Sequence, residues 1–434
     1  MADKKHDDRV IGIAGGPDAD EAPQVFKVGQ MGSGRRDFLK NALAGAAAGV
    51  SAAALGGCGD NPHAAQLESD CTSTFVRSHA STVESLAIRP DGTLLASGGN
   101  EGDVKLWGLP DGGLLKTLTG NSGPVNAVAI SSDGTMLASG SDDGTIKLWS
   151  LPNGEFLKTL SLLSRDVFLH AIAISPDGTV LASSGSDDGT VRLRSLPDGA
   201  LLKTLTGHSR SVVALAITSD GTMLASGSDD ETIKLWSLPD GALLRTLSGH
   251  SADVTAVAIS PDGTMLASGS YDETIKLWSL PNGALLQTLT GHSSPVTAIA
   301  VSPDGTVLVS GSYDEIIKLW SLPDGALLQT LTGHADEQLA AVALSPDGIT
   351  LASGGHWERG GGRIELWSLP SGTLRSSLVD PTCNYSSRTA CSPGSSTLGC
   401  TCDTVCSCDS VCTCNTVCTC DSEDGGGGSY YYPV

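Results

Sequence analysis

Three lines in the middle of the chain carry histidine, serine and aspartate in one order: His208, Ser226 and Asp230; His250, Ser268 and Asp272; His292, Ser310 and Asp314. These are the residue types of a nucleophilic hydrolase, in which imidazole takes the hydroxyl proton and a carboxylate orients the imidazole. A hydrolase needs one such set. Here the set recurs in GHSRSVVALAITSDGTMLASGSDDETIKLW, GHSADVTAVAISPDGTMLASGSYDETIKLW and GHSSPVTAIAVSPDGTVLVSGSYDEIIKLW. Recurrence in near-identical lines assigns these residues to holding a repeated element together, and no catalytic residue is expected.

A second constellation sits near the C-terminus. Residues 400–420 read CTCDTVCSCDSVCTCNTVCTC, which places Cys400, Cys402, Cys406, Cys408, Cys412, Cys414, Cys418 and Cys420 in Cys-x-Cys pairs. Residues i and i+2 of an extended strand share a side, so such pairs would form a row of thiols. Thiolates at this density suit zinc or copper(I). Against a metal, the run has no histidine and no zinc-finger spacing. Disulfides within or between tails, and a flexible low-complexity tail, are the other readings.

The composition sets limits on both. The chain has 434 residues, a formal net charge of -22, 40% hydrophobic residues and only 4% aromatic ones. Such a surface repels nucleic acid and anionic headgroups, so no nucleic-acid partner is expected. Any core is aliphatic. No cofactor is expected, and no apolar run is long enough to read as a spanning helix. Of the 12 cysteines, Cys58 and Cys71 lie near the start and the others fall between Cys383 and Cys420. The chain thus divides into a leader, a cysteine-free body and a cysteine-dense tail.

The body is one unit written seven times, ending at Trp107, Trp149, Arg194, Trp236, Trp278, Trp320 and Trp367. Within a unit, VTAVAIS and TMLASGS are short and rich in β-branched and small residues, with Ser-Pro-Asp-Gly turn chemistry between them. IKLWSL follows, then Leu-Pro-Asp/Asn-Gly turns into ALLQTLTG. Each unit therefore predicts four antiparallel strands and no helix. A lone sheet of this kind cannot bury both faces, whereas sheets stacked around an axis cover one another.

The Gly-His and terminal Trp landmarks at this period resemble the WD-repeat family, which implies an all-β, seven-bladed β-propeller over residues 73–379. The resemblance implies a hydrogen-bonded tetrad in each blade. Here it would comprise His208, Ser226, Asp230 and Trp236; His250, Ser268, Asp272 and Trp278; and His292, Ser310, Asp314 and Trp320. Other blades depart from it. Blade one has Glu101 for Asp, blade two Asn121 for His, and blade three lacks Gly-His and has Arg194 for Trp. Blade seven carries an expanded turn, GGHWERGGGR. Two closures of blade seven are open, an outer strand from Thr72–Ser78 or one from Thr373–Val379. The first is favoured because FVRSH aligns with TLTGH. A Cys71–Cys383 disulfide near that closure is a hypothesis.

The resemblance also places the turn between second and third strands on one face of the ring. The residue before the tetrad aspartate is Asp142, Asp187 or Asp229 in blades two to four and Tyr271 or Tyr313 in blades five and six. Blade seven offers His356 and Trp357, with Arg359 nearby. An acidic arc thus faces an aromatic one, and these eight residues are the expected partner surface, with Tyr and Trp as anchors. The innermost strands, read from VTAVAIS and VTAIAVS, are small and apolar, which disfavours a ligand or enzyme site at the axis.

The leader, residues 1–57, contains GRRDFLK followed by NALAGAAAGVSAAALGG and Cys58. A basic segment, a weakly apolar segment and a small-residue junction form the layout of an export signal. Arg35, Arg36, Phe38 and Leu39 resemble the bacterial twin-arginine motif, an address and not an anchor. Leu55-Gly56-Gly57-Cys58 is similar to a lipobox, whose cysteine is acylated and becomes the mature N-terminus. Met31 offers an alternative start. Residues 58–72 then read as a lipidated tether and 380–434 as the tail. The function expected is an exported, membrane-anchored protein-binding scaffold, periplasmic or at the cell surface. The alternatives are an extracytoplasmic ligand-binding or enzymatic propeller, and a metal or redox module carried by the tail.

Overall fold

Runs of alternating β-branched and small residues between Asp-Gly turns leave the chain little choice but short strands. VTAVAI forms the strand Val254–Ile259, MLASGS forms Met265–Ser270, and the strands Ile275–Ser279 and Leu285–Leu289 follow. They pair antiparallel in chain order, and the same meander occurs in all seven repeats. The computed structural model describes residues 77–161, 168–185, 188–332, 334, 337–357 and 361–380, and the strand segments 389–390, 400–408, 412–420 and 429–433. Among these the body is a seven-bladed β-propeller of four-stranded blades without a helix.

The first strands line the axis. They span Val83–Ile88, Val125–Ile130, Leu169–Ile174, Val212–Ile217, Val254–Ile259, Val296–Val301 and Glu337–Leu344. Each neighbours the first strand of the next blade, and the last returns to the first, so the ring is closed. The core is divided among the seams between blades. Leu266, Trp278 and Val254 of blade five pack with Ala225, Ile233 and Leu235 of blade four. The closing seam joins Val83, Leu95 and Trp107 to Ala352, Ile364 and Leu366.

At the seams other than the one between blades three and four, one glycine sets how near two blades come. A Cβ on Gly269 would lie 2.7 Å from Val296 Cγ1, and one on Gly354 would lie 2.7 Å from Val83 Cγ1. Both distances are inside van der Waals contact, so the valine occupies the space a side chain would need. Thr255 Oγ1 and Thr297 Oγ1 add a polar stitch, donating across their seams to the carbonyls of Val296 and Leu339, the latter at 2.6 Å.

Blade seven takes its outer strand from Thr373–Leu378, paired Ile364 to Leu378 and Trp367 to Leu374. The expectation that Thr72–Ser78 would supply it is corrected. A hairpin across Leu369-Pro370-Ser371-Gly372 closes a short loop, and local closure carries the smaller entropy cost. The N-terminal segment latches the seam instead. Ser78 N–H donates to Gly362 O at 2.9 Å, Ser78 Oγ donates to Leu378 O at 2.6 Å, and Asp380 N–H donates to Arg77 O at 2.8 Å. Lys105, on the third strand of blade one, is buried with its ammonium on Asp380 and on Ser78 O at 2.9 Å. Cys71 and Cys383 lie outside the described residues, as do the leader and Cys58.

Removing one partner of a buried ion pair strands the other charge, at a cost of about 3–5 kcal/mol. Asp380→Ala is expected to destabilise the propeller by about that amount in urea denaturation. Lys105→Met combined with Asp380→Leu is expected to recover most of the loss. A single variant within about 0.5 kcal/mol of wild type would show that the latch does not hold the seam.

Candidate partner surface at the channel mouth

The loops that carry the expected contact residues are positioned by side chains buried behind them. In blade five, Trp278 Nε1–H donates to Ser268 Oγ at 2.9 Å, Ser268 Oγ lies 2.8 Å from His250 Nε2, and His250 Nδ1 lies 2.8 Å from Asp272 Oδ2. Asp272 also accepts from Ser251 N–H at 3.1 Å and from Thr274 Oγ1 at 2.6 Å. The carboxylate is saturated, and its loop cannot drift. Tyr271 is the preceding residue, and its N–H donates to Asp253 O at 3.0 Å. The chain His292, Ser310, Trp320 and Asp314 repeats this geometry beneath Tyr313, and His208, Ser226, Trp236 and Asp230 repeat it beneath Asp229.

The divergent blades solve the same problem differently. In blade one Glu101 reaches His79 at 2.5 Å, because its longer side chain spans the gap. In blade two Asp143 turns to Ser122 N–H at 2.9 Å, since Asn121 stands where histidine would. Blade seven places Glu365, from the third strand, 3.1 Å from His334. Blade three shows no equivalent among its described residues. Arg194 is buried and donates to Gly199 O and Ser161 O at 3.2 and 3.3 Å, and the hydroxyls of Ser183 and Ser184 are buried without a partner among the described residues.

Around the channel mouth the first strands of blades one to three contribute Glu84, Asn126 and His170, all half-buried. Reading the inner strands from VTAVAIS and VTAIAVS missed these three, because the earlier blades differ from the near-identical later ones. Burial raises the Glu84 carboxyl, and Asp142 raises it further. Burial also raises Asp142 and Asp229, with Asp253 adding to the latter and His170 opposing both. Asn126 Nδ2–H donates to Asp142 Oδ1 at 2.6 Å and to Leu169 O at 2.8 Å, tying the acidic loop of blade two to the seam. Tyr271 and Tyr313 meet edge to face with centroids 6.2 Å apart. Burial, the hydrogen bond to Tyr271 and the nearby Glu84 push the Tyr313 hydroxyl up to about 12.

The structure thus brings Asp142, Asp229, Tyr271 and Tyr313 around one opening with Glu84 and His170. His356 is exposed, and its Nδ1 lies 3.0 Å from Thr82 Oγ1, across the closing seam. Trp357 ends the second strand of blade seven, with its backbone opposite Glu337. Asp187 and Arg359 lie outside the described residues. No group of three or more His, Cys, Asp or Glu able to hold a metal ion occurs among the described residues.

A family model for the WD domain, G-beta repeat, matches residues 69–108, 112–150, 155–195, 199–237, 241–279, 283–321 and 325–368. The chain belongs to the WD40 family. No curated protein matches it. Each WD40 match ends at or near the third strand of a blade, so the strand Thr373–Leu378 follows the last match. WD40 propellers typically serve as protein-interaction scaffolds, and the family supports that coarse role here.

Buried imidazoles make this WD40 ring acid-sensitive. Burial holds His208 and His250 below the ordinary histidine range, with their carboxylate partners offsetting only part of it. The unfolded chain therefore takes up protons that the folded one refuses, and this stability is complete above about pH 6.5 and lost below it. Asp230 is pushed up by burial, but Thr232, Ser209 N–H and His208 outweigh that and bring it to about 2. Its contribution is present above the ordinary aspartate range, about 3.9, and is lost as pH falls through about 2. Unfolding free energy is expected to fall as pH drops from about 7 to 5, less steeply in His208→Gln, when followed by urea titration at each pH. Equal slopes for the two proteins would refute this.

Proposed function

We propose that this WD40 propeller is a non-catalytic scaffold that docks a basic segment of a partner protein over the acidic and aromatic channel mouth. The observation that carries the reading is the crowding of Glu84, Asp142 and Asp229 at one opening, each raised by burial and further by a neighbouring carboxylate. Carboxylates in that condition gain when a cation arrives. The paired rings of Tyr271 and Tyr313 beside Glu84 add faces on which an arginine or lysine can rest. The absence of catalysis is supported by the state of the His-Ser-Asp sets. Each serine hydroxyl is fully buried, held between a tryptophan N–H and an imidazole.

The same proposal places the propeller outside the cytoplasm of a bacterium, on a lipid anchor. It is supported by Arg35 and Arg36 ahead of the Ala/Gly segment and by Leu55-Gly56-Gly57-Cys58. Acyl chains on Cys58 would supply membrane affinity of about 0.8 kcal/mol per buried CH₂ group without a transmembrane helix.

Short fluorescent peptides carrying a central arginine, lysine or glutamate distinguish the docking proposal from a neutral surface. Anisotropy is expected to show binding of the basic peptides alone, weakening as salt rises. Asp142→Asn with Asp229→Asn, and separately Tyr271→Ala, are each expected to weaken it about tenfold, or about 1.4 kcal/mol. Equal binding of the glutamate peptide would overturn the reading. For the anchor, Arg35→Lys with Arg36→Lys is expected to keep the protein in the cytoplasm, and Cys58→Ser to release it from membranes. Unchanged fractionation of both variants in a twin-arginine-competent host would exclude export by this route.

A further inference from the structure

The tail folds back on itself in a register that the Cys-x-Cys repeat does not by itself announce. Strand Cys400–Cys408 pairs antiparallel with strand Cys412–Cys420, within a four-stranded sheet completed by Thr389–Ala390 and Ser429–Pro433. Cys400 stands opposite Cys420, Cys402 opposite Cys418, Cys406 opposite Cys414, and Cys408 opposite Cys412. The only other pair at these alternate positions is Thr404 with Thr416. Strand positions two apart share a face, so all eight cysteines occupy one face of the hairpin.

In an antiparallel ladder, close and wide pairs alternate residue by residue. The four cysteine pairs fall at alternate positions and are therefore all of one kind. Directly opposite Cα atoms lie about 4.5 or 5.5 Å apart according to kind, and both values fall within the window of about 4.4–6.8 Å that a disulfide requires. Diagonal neighbours, such as Cys400 and Cys418, stand about 7–8 Å apart, outside it. A structural zinc site asks for a different spacing, since its cysteines typically stand in pairs two to four residues apart in the C-x2-4-C pattern, and the Cys-x-Cys pairs here are closer.

We infer that the tail is a ladder of four cross-strand disulfides, Cys400–Cys420, Cys402–Cys418, Cys406–Cys414 and Cys408–Cys412. Each forms by exchange with an oxidised small-molecule disulfide such as oxidised glutathione. One cysteine thiolate attacks it and releases a glutathione thiolate. The opposite cysteine thiolate then displaces the second glutathione, again as a thiolate, and both glutathione thiolates take up the protons the cysteines gave up. The two cysteines are oxidised, one glutathione disulfide is reduced to two thiols, and the protons of the cysteines end on them. The ladder fixes the hairpin's register, because a slip of one residue would leave no cysteine opposite another cysteine.

The test uses the full chain, refolded in a glutathione redox buffer and alkylated, with free thiols counted by intact mass. In wild type the eight tail cysteines are expected to escape alkylation until a reductant is added. The matched variant, Cys402→Ser with Cys418→Ser, is expected to leave no additional free thiol. The mismatched variant, Cys402→Ser with Cys420→Ser, is expected to expose Cys400 and Cys418, which have lost their opposite partners. Equal thiol counts in the two variants would overturn the ladder. So would covalent dimers on a non-reducing gel, or protection that disappears on adding a zinc chelator without reductant.

Discussion

A sheet of four short strands has two apolar faces and nothing of its own to cover them. Each blade therefore depends on its neighbours, and the whole body stands on how closely two blades can meet. That distance is set where a valine of one first strand presses on the glycine of the preceding second strand, as Val296 does on Gly269. The same contact, Val83 on Gly354, closes the circle. Apolar burial of this kind is non-directional, so it fixes the stack without fixing what the rims display.

The polar groups inside each blade do the orienting. A tryptophan at the end of the third strand packs into the seam and turns its N–H onto a serine of the second strand. The imidazole and carboxylate that follow carry the chain of bonds outward to the rim loop. Because a buried polar group must be satisfied, the loop's position follows from the core's composition. Blade three shows the reverse case. With Arg194 for tryptophan and Ser184 where other blades have glycine, it keeps the sheet, and among the described residues it shows no such chain of bonds and two of its hydroxyls have no partner. The fold tolerates this because its neighbours still cover both faces.

The channel mouth draws on residues at positions where the repeat varies from blade to blade. Glu84, Asn126 and His170 occupy inner-strand positions where later blades carry Thr255 and Thr297, and those threonines serve only to stitch seams. An acidic chain that gathers further carboxylates at one opening makes the potential there more negative still, and the proposed docking of a basic segment rests on that. The cysteine hairpin is a separate sheet with its own register and shares none of this logic.

Strand count, blade number and the buried tetrads were legible in the sequence. Turn residues, β-branched runs and the returning tryptophan act locally, and seven copies average out local ambiguity. That Asp142, Asp229, Tyr271 and Tyr313 share one rim was legible as well, because they sit at one fixed place in the repeat. The outer strand of blade seven was not, since Thr72–Ser78 and Thr373–Val379 both satisfy the pattern and only the competition between a short hairpin and a long return decides. Nor were the joining of Tyr271 to Tyr313, the burial of Lys105 on Asp380, or the opposition of Cys400 to Cys420. Local pattern determines what each segment becomes, because propensity and turn chemistry act over a few residues. Which side chains meet is settled by ring closure and strand register, which couple Lys105 to Asp380 across almost the whole body and are not set by the propensity of either segment.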